Sequence, residues 1–492
     1  MKSSGASTVY DVAVKTPLQK APKLSAKVDC QVFLKREDLQ PVHSFKIRGA
    51  YQKIARLSEA EKQKGVIAAS AGNHAQGVAL SAHKLGIKAL IVMPRTTPSI
   101  KVEAVQGYCA EVELVGDNYS EAYEHCLARI EETGMTFVHP FDDLDVITGQ
   151  GTVGDEILEQ NPDVTHIFVP IGGGGLIAGV AEKVKSLKPS VKIIGVEPVD
   201  SCAMRDSIAA GHIVELSHVG IFADGVAVKK VGENTFLKVQ KFVDECITVT
   251  TDQICAAIKN IFEDTRSIVE PAGALAAAGI SAYALPKDAV AVAICSGANM
   301  SFERLQFIAE RTLLGSGKEA LFAVELREEP NALKLFCESV VKDHNISEFN
   351  YRLHDRTKAH IFVGIGTKDD TDKQRFIQTL EQEKYKYTDL SDDDISKEHI
   401  RHMVGGKSEN TRNEQLYTVG FPERPGALSD FLSIVGGNGD NISLFHYRGQ
   451  GGDVGRVLIG FESENHDSLL KKLSTSSYEV EPAHSKSIPL FV

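Results

Sequence analysis

The chain lacks the features that would put it in a membrane, in a disulfide framework or on nucleic acid. No apolar run in its 492 residues approaches the roughly 20 residues that a bilayer-spanning helix needs. No C-x-x-C pair occurs. Cys30, Cys109, Cys126, Cys202, Cys246, Cys255, Cys295 and Cys337 are scattered singly, which reads as reduced thiols and mostly as small core residues. No His/Cys cluster has transition-metal spacing, although a hard cation on carbonyl and carboxylate oxygens stays open. Positive charge is in deficit, with 54 Lys and Arg against 66 Asp and Glu and a net charge of −12. That balance argues against nucleic-acid and anionic-membrane partners. Met1 to Thr8 has neither an apolar signal core nor an arginine-rich amphipathic pattern, so no targeting peptide and a cytoplasmic location are expected.

What is present is ample for globular domains. Apolar residues make up 42% of the chain, and the length suits about three domains. Short Val/Ile/Ala-rich strands alternate with helices. Strands are expected at Val32–Lys35, Gly65–Ala69, Ala89–Met93, Glu111–Val115, Ile167–Ile171, Lys192–Val196, Ile247–Thr250 and Ala289–Ile294. Helices are expected at Ala75–Leu85 and Tyr119–Thr133. Continuous apolar strands of this kind form parallel sheets covered on both faces, an α/β architecture whose ligands sit at the carboxyl ends of strands.

Three such strand ends stand out: Ser70-Ala71-Gly72-Asn73-His74, Gly172-Gly173-Gly174-Gly175-Leu176 and Ser296-Gly297-Ala298-Asn299. Backbone amides in a glycine-rich loop that opens a helix form an anion site, and Gly172 to Gly175 is the best phosphate cradle in the chain. No G-K-[ST] follows it, which excludes a P-loop nucleotide triphosphatase. A dinucleotide site is a rival reading, because Gly173-x-Gly175-x-x-Ala178 fits the relaxed fingerprint and Glu197 stands near the place of a ribose-binding acid. Glycines that merely shape a tight turn are a third reading, although four in succession cost more backbone entropy than a turn requires. Upstream lies His43-Ser44-Phe45-Lys46-Ile47-Arg48-Gly49. A lysine beside apolar groups can have its pKa depressed, as a nucleophilic amine needs near neutrality. His43, Arg48 and His74 read as structural or loop-positioning residues. Asp224 and Glu270 resemble a catalytic or metal-holding pair only superficially.

Beyond about Arg311 the texture changes. Gly315-Ser316-Gly317-Lys318 reads as a linker, and an internal repeat follows. Pro330-Asn331-Ala332-Leu333 leads to Asn345-Ile346-Ser347-Glu348-Phe349-Asn350-Tyr351-Arg352. Pro425-Gly426-Ala427-Leu428 leads to Asn441-Ile442-Ser443-Leu444-Phe445-His446-Tyr447-Arg448. Each copy is expected to run strand, turn, helix, strand, strand, with one sheet face packed on helices. The acidic run Asp389 to Asp394 reads as a solvated connection between the copies. His446, Tyr447 and Arg448 could serve an effector or an interdomain contact as readily as plain packing.

The motifs K-R-E-D-L-Q-P-V-H-S-F-K-I-R-G-A-Y, S-A-G-N-H-A-Q-G, V-P-I-G-G-G-G-L, E-P-A-G-A-L and S-G-A-N, in this order, resemble those of fold-type II pyridoxal-phosphate enzymes. The doubled C-terminal unit resembles ACT-like regulatory domains. Over nearly the whole chain the pattern is similar to the biosynthetic threonine dehydratases. The resemblance implies an α/β fold-type II PLP-dependent catalytic region (tryptophan synthase β-like, parallel sheets flanked by helices) plus two α+β ACT-like regulatory units. Its implied boundaries are 1–312 for a catalytic region of two subdomains, 313–319 for the linker, and 320–393 and 415–486 for the regulatory units.

The resemblance also implies site roles. Lys46 would hold pyridoxal 5'-phosphate as an imine and then serve as base. Asn73 would bond the ring's 3′ oxygen, and Gly172, Gly173, Gly174, Gly175 and Leu176 would wrap the phosphate. Ser296 would face the pyridine nitrogen, and Ser70, Ala71, Gly72, Asn73 and His74 would hold the substrate carboxylate. A serine at the ring nitrogen moderates the electron sink, which suits elimination. L-threonine would yield 2-oxobutyrate and ammonia, with L-serine a second substrate and the cofactor phosphate a proton donor. Isoleucine would inhibit, valine would oppose it, and the assembly would be a homotetramer. Asn331 stands where the second copy has Gly426, so the first effector-like pocket would differ, and the main effector site is expected in the second copy. A serine dehydratase or racemase explains the catalytic motifs but not the doubled C-terminal unit. A non-catalytic amino-acid sensor and a nicotinamide enzyme are the readings from other classes.

Overall fold

A computed structural model describes residues 8–327, 332–350, 358–403, 413–422, 430–431, 434–435, 441–448, 454–463, 465–474 and 478–491. The chain divides into two compact units, Met1–Phe302 and Glu303–Val492.

The first unit holds two sheets. One is six-stranded, in the order Leu18–Lys20, Gln31–Arg36, Val290–Cys295, His166–Pro170, Lys192–Pro198, Glu245–Val249. Its first pair is antiparallel and the rest parallel. The other is four-stranded and parallel, in the order Glu111–Leu114, Ala89–Met93, Val66–Ala69, Thr136–Phe137. Val290–Cys295, Val66–Ala69 and Ala89–Met93 are buried along their whole length, as strands covered on both faces must be. Boundaries differ from expectation by a residue or two. The helix expected from Ala75 begins at Asn73, which puts that asparagine in the first turn.

Four helices pack against one another with glycines at close approaches. They are Lys46–Ala55, Asn73–Leu85, Leu144–Gln160 and Gly175–Leu187. A Cβ on Gly77 would meet the Lys46 backbone at 3.1 Å, and one on Gly149 would meet the Arg48 carbonyl at 2.6 Å. One on Gly179 would meet the Ile147 carbonyl at 2.2 Å. Side chains at these points would force the helices apart. The helix that begins with Lys46 is therefore gripped on both sides. Arg48, two residues on, is fully buried and pairs with Glu37 at 2.8 Å and Glu156 at 2.6 Å. Lys35 also pairs with Glu156, so two cations and two carboxylates balance in the interior.

The second unit contains two four-stranded antiparallel sheets of identical order. The first runs Ile346–Asn350, Lys358–Gly366, Glu319–Arg327, Lys386–Asp389. The second runs Asn441–Arg448, Val454–Glu462, Glu414–Pro422, Glu479–Pro482. The repeated N-I-S motif has a structural reason. The register shifts between Ile346 and Glu348 in one copy and between Ile442 and Leu444 in the other. The intervening serine hydroxyls lie where a Cβ on Gly364 or Gly460 would be 2.6 and 2.7 Å away. Each copy therefore carries a serine bulge over a glycine. Each copy also continues beyond the expected strands, through a helix (Asp370–Gln382; His466–Ser474) into a fourth strand.

Two expectations in this unit are corrected. The helix Arg304–Gly315 joins the second unit, and Ser316 to Lys318 form a tight turn rather than a loose linker. The Lys318 amide bonds the Leu313 carbonyl at 2.8 Å, and Gly317 has φ +65°. The run Asp389 to Asp394 is not simply solvated. Asp389 pairs with Lys373 at 2.7 Å and Asp394 with Arg311 at 2.6 Å. Buried Asp393 caps the helix Asp394–Glu398 and accepts from Ser485 at 2.7 Å and the Lys486 amide at 3.2 Å, so the last segment of the second copy is tied to the first. His446 meets His399 through their Nδ1 atoms at 2.8 Å, which is a contact between copies. Pro330, Asn331, Tyr351, Arg352 and Pro425 to Leu428 lie outside the described residues.

Candidate active site

The lysine loop is stitched to a strand end. Ser44 bridges Gly297, the Phe45 amide donates to the Ser296 carbonyl at 3.1 Å, and the Ala298 amide donates to the His43 carbonyl at 2.9 Å. Lys46 opens its helix and donates from Nζ to the Pro140 carbonyl at 2.7 Å. The Phe45 ring centroid is 5.4 Å from the same nitrogen. Burial lowers the ammonium pKa from its ordinary value to about 8, against the opposing charge of Glu270. The Ser44 hydroxyl next to it is buried without a hydrogen-bond partner.

Asn73 and His74 begin the helix that follows Val66–Ala69, with Ser70, Ala71 and Gly72 in the connecting turn. The Ser70 hydroxyl accepts from the Gly72 amide at 3.3 Å. Asn73 donates from Nδ2 to Glu270 at 2.6 Å and accepts at Oδ1 from Asn299 at 2.6 Å, which fixes its carboxamide at both ends. His74 Nε2 lies 2.7 Å from the Val138 carbonyl, so that nitrogen carries the proton. Burial first, then the Lys46 charge, lowers the His74 pKa to about 3. The imidazole is neutral and braces the loop.

Gly172 to Gly175 leave the strand His166–Pro170 and open the helix Gly175–Leu187. Each is hemmed in. A Cβ on Gly172 would meet the Val226 Cα at 2.9 Å, and one on Gly173 would enter the Phe141 ring at 2.2 Å. Gly174 has φ +93°, which favours glycine. Leu176 turns its side chain into the core and offers only its backbone to the loop. The Thr235 hydroxyl donates to the Gly173 carbonyl at 2.7 Å. Ser296 follows the strand Val290–Cys295 and donates to the Ala272 carbonyl at 3.2 Å.

Ser296 to Asn299 is thus bonded to the Lys46 loop and, through Asn299, to Asn73, while Gly172 to Gly175 pack on Phe141 beside the Pro140 carbonyl that receives Lys46. Glu197 does not act as a ribose acid. Its carboxylate, with a pKa raised to about 7 by burial, accepts the Met204 and Arg205 amides at 2.9 and 2.8 Å. Glu270 belongs to the site, whereas Asp224 turns to Lys101 at 3.0 Å. Among the described residues no group of three or more His, Cys, Asp and Glu is placed to hold a metal, and no helix is long and apolar enough to cross a membrane.

One wall lay outside the sequence reading: His139 to Asp143. Pro140 receives Lys46, Phe141 backs Gly173 and Gly175, and His139 accepts the Asp142 amide at 2.7 Å. The Asp142 carboxylate caps the helix Glu233–Phe242, accepting the Asn234 amide at 2.9 Å. The only sequence signal is an acidic pair before a helix, which reads as an ordinary N-cap.

The model of the family "Pyridoxal-phosphate dependent enzyme" matches residues 9–297, and that of the "C-terminal regulatory domain of Threonine dehydratase" matches 310–400 and 405–489. The chain is 51% identical to the biosynthetic L-threonine dehydratase of Burkholderia multivorans, over 98% of this chain and 97% of that one. It is 48% identical to the Escherichia coli counterpart, over 93% and 90%. Among solved structures, the processed form of threonine deaminase isoform 2 from Solanum lycopersicum aligns at TM-score 0.61 and 50% identity, over 62% of this chain and 90% of that one. Maize serine racemase aligns at TM-score 0.59 and 35% identity, over 62% and 94%.

Proposed function

The chain belongs to the pyridoxal-phosphate dependent enzymes, among the biosynthetic threonine dehydratases, and from that membership we propose that Lys46 is the residue on which its chemistry turns. The enzyme deaminates L-threonine to 2-oxobutyrate and ammonia in isoleucine biosynthesis, using pyridoxal phosphate, and carries C-terminal regulatory domains. The observation that carries the reading of the site is a buried amine whose pKa is lowered to about 8, on a loop bonded to Ser296 and with an acceptor, Pro140, that adjoins the Phe141 backing the glycine cradle.

The donor set suits the cofactor. Gly172 to Gly175 and the Leu176 amide, at a helix N-terminus, would hold a phosphate. The orphaned Ser44 hydroxyl adds a buried donor beside the lysine, Asn73 would face the ring oxygen, and Ser296 the ring nitrogen. Bound pyridoxal phosphate supplies an electron sink for the substrate's α-carbon. Lys46 would anchor the group and would take the α-proton onto Nζ, a transfer that an amine with a pKa near ambient pH performs well. Glu270 holds the Asn73 carboxamide and keeps a negative charge near Nζ. The amides of Ser70 to His74 would receive the substrate carboxylate. His74, neutral and spent on Val138, contributes support rather than proton transfer.

In this reading isoleucine inhibits through the regulatory copies 320–393 and 415–486, valine opposes it, and L-serine is a second substrate. Inhibition requires that isoleucine bind one conformational state better than the other. The enzyme is further read as a cytoplasmic homotetramer, on family resemblance. One assay tests the core of the proposal: keto-acid release from L-threonine with and without isoleucine. The whole chain should turn over and be inhibited, Lys46→Ala should be inactive, and a chain ending at Gly317 should turn over without inhibition. Normal turnover in Lys46→Ala would remove the lysine from the chemistry, and inhibition surviving in the shortened chain would remove the regulatory role.

A further inference from the structure

Lys101 and Asp224 connect the two sheets of the first unit on the flank of the site. Lys101 stands on the helix Ser99–Gln106, which follows the strand Ala89–Met93 of the four-stranded sheet. Asp224 opens the turn Asp224–Val226, which lies between the strands Lys192–Pro198 and Glu245–Val249 of the six-stranded sheet. Lys101 Nζ is 3.0 Å from Asp224 Oδ2, with the two side chains 13% and 32% exposed. The other oxygen of the same carboxylate accepts the Gly225 amide at 3.0 Å.

That turn is a shared wall. A Cβ on Gly225 would meet Ala272 at 2.9 Å, Glu270 Oε1 at 3.6 Å and Asn73 Nδ2 at 3.9 Å. The next residue, Val226, backs Gly172, where a Cβ would meet its Cα at 2.9 Å. The Val226 carbonyl is held by the Ser201 hydroxyl at 3.3 Å. The loop Ser70 to His74 issues from the four-stranded sheet, and Gly172 to Gly175 issue from the six-stranded one. The gap between these loops therefore depends on how the two sheets are held. Small displacements of such walls weigh heavily on reactions that require aligned groups.

We propose that Lys101 is a positioning residue for threonine deamination: through Asp224 it holds the turn Asp224–Val226 against Asn73 and Gly172, and so sets the opening that receives the substrate. This rests on the reading that Ser70 to His74 hold the substrate and Lys46 the cofactor. A pair only partly buried is still screened by salt and worth a modest factor. The expected effect is accordingly on substrate binding rather than on chemistry.

The test is steady-state kinetics of the holoenzyme with L-threonine across ionic strength, together with the absorbance of the bound cofactor. Lys101→Met should raise KM ~5-fold with kcat within ~2-fold and an unchanged visible band. Lys101→Arg should restore KM. Asp224→Asn, which keeps an acceptor for the Gly225 amide, should match Lys101→Met and carries the test if that variant does not fold. Rising salt should lift the KM of the unmodified enzyme towards the variants' value and leave the variants flat. A KM unchanged in Lys101→Met or Asp224→Asn would overturn the proposal. So would equal loss of kcat and of the cofactor band, which marks damage to the fold. Should the underlying reading fail instead, the unmodified enzyme would itself lack a cofactor band that depends on Lys46.

Discussion

At Lys46 two opposing influences act on one ammonium. Burial drives the proton off and the Glu270 carboxylate holds it on, which leaves the pKa at about 8. The apoprotein should capture pyridoxal phosphate through the neutral amine, so the rate of uptake should rise with pH around a midpoint near 8. Glu270→Gln removes a negative charge that favours the protonated form but keeps an acceptor for Asn73. Its midpoint should move to lower pH. Stopped-flow absorbance on the apoprotein reads this directly, and a midpoint that stays or rises would show that the carboxylate does not act on Lys46. At this scale the lysine, the glycines and Ser296 are legible because each sits in a short motif. Glu270 also sits in a motif, as the first residue of E-P-A-G-A-L, but its role is not legible there, because it appears only when the start of the helix Pro271–Ala282 meets Asn73, 197 positions away in sequence. Pro140 is equally silent, since it acts through a backbone carbonyl that any residue would offer.

At the scale of elements, the site depends on how closely helices approach. The contact of Leu144–Gln160 with Gly175–Leu187 runs through Gly151 and Gly179, where a Cβ on either would lie within 3 Å of the other helix's backbone. Gly179→Ala gains about 1 kcal/mol of helix propensity. It also forces the backbones apart, at a cost of about 1–3 kcal/mol or more. The net expectation is a lower denaturation midpoint with a shifted Gly172 to Gly175 loop. Urea unfolding checks it, and a midpoint equal to or above that of the unmodified protein would refute the close crossing. Strand positions were readable because buried parallel strands are continuous Val/Ile/Ala runs. The closing helix and strand of each regulatory copy are not, because they lie beyond the recognisable repeat, although Phe376 and Leu380 in one copy and Leu469 and Leu473 in the other recur at helical spacing and fill the cores. The acidic run was misread for a related reason. Periodicity gives no sign that Asp393 will be met by hydroxyls from Ser485 and Ser487 at the far end of the chain.

At the scale of the whole molecule, the chain divides into a unit that carries Lys46, the Gly172 to Gly175 loop, Asn73 and Ser296 and a second unit built from one supersecondary pattern used twice. The duplication was visible in sequence because the serine bulge demands the same short motif and the same facing glycine in each copy. The unit boundary was less visible, since Arg304–Gly315 continues the texture of the preceding helices while joining the second unit. The central claim is that one lysine among the chain's many basic residues anchors the cofactor, and borohydride reduction of the loaded enzyme followed by peptide mapping tests it most directly. The account predicts loss of the visible band and a stable phosphopyridoxyl adduct on the peptide that contains Lys46. An adduct on another lysine, or none, would contradict it.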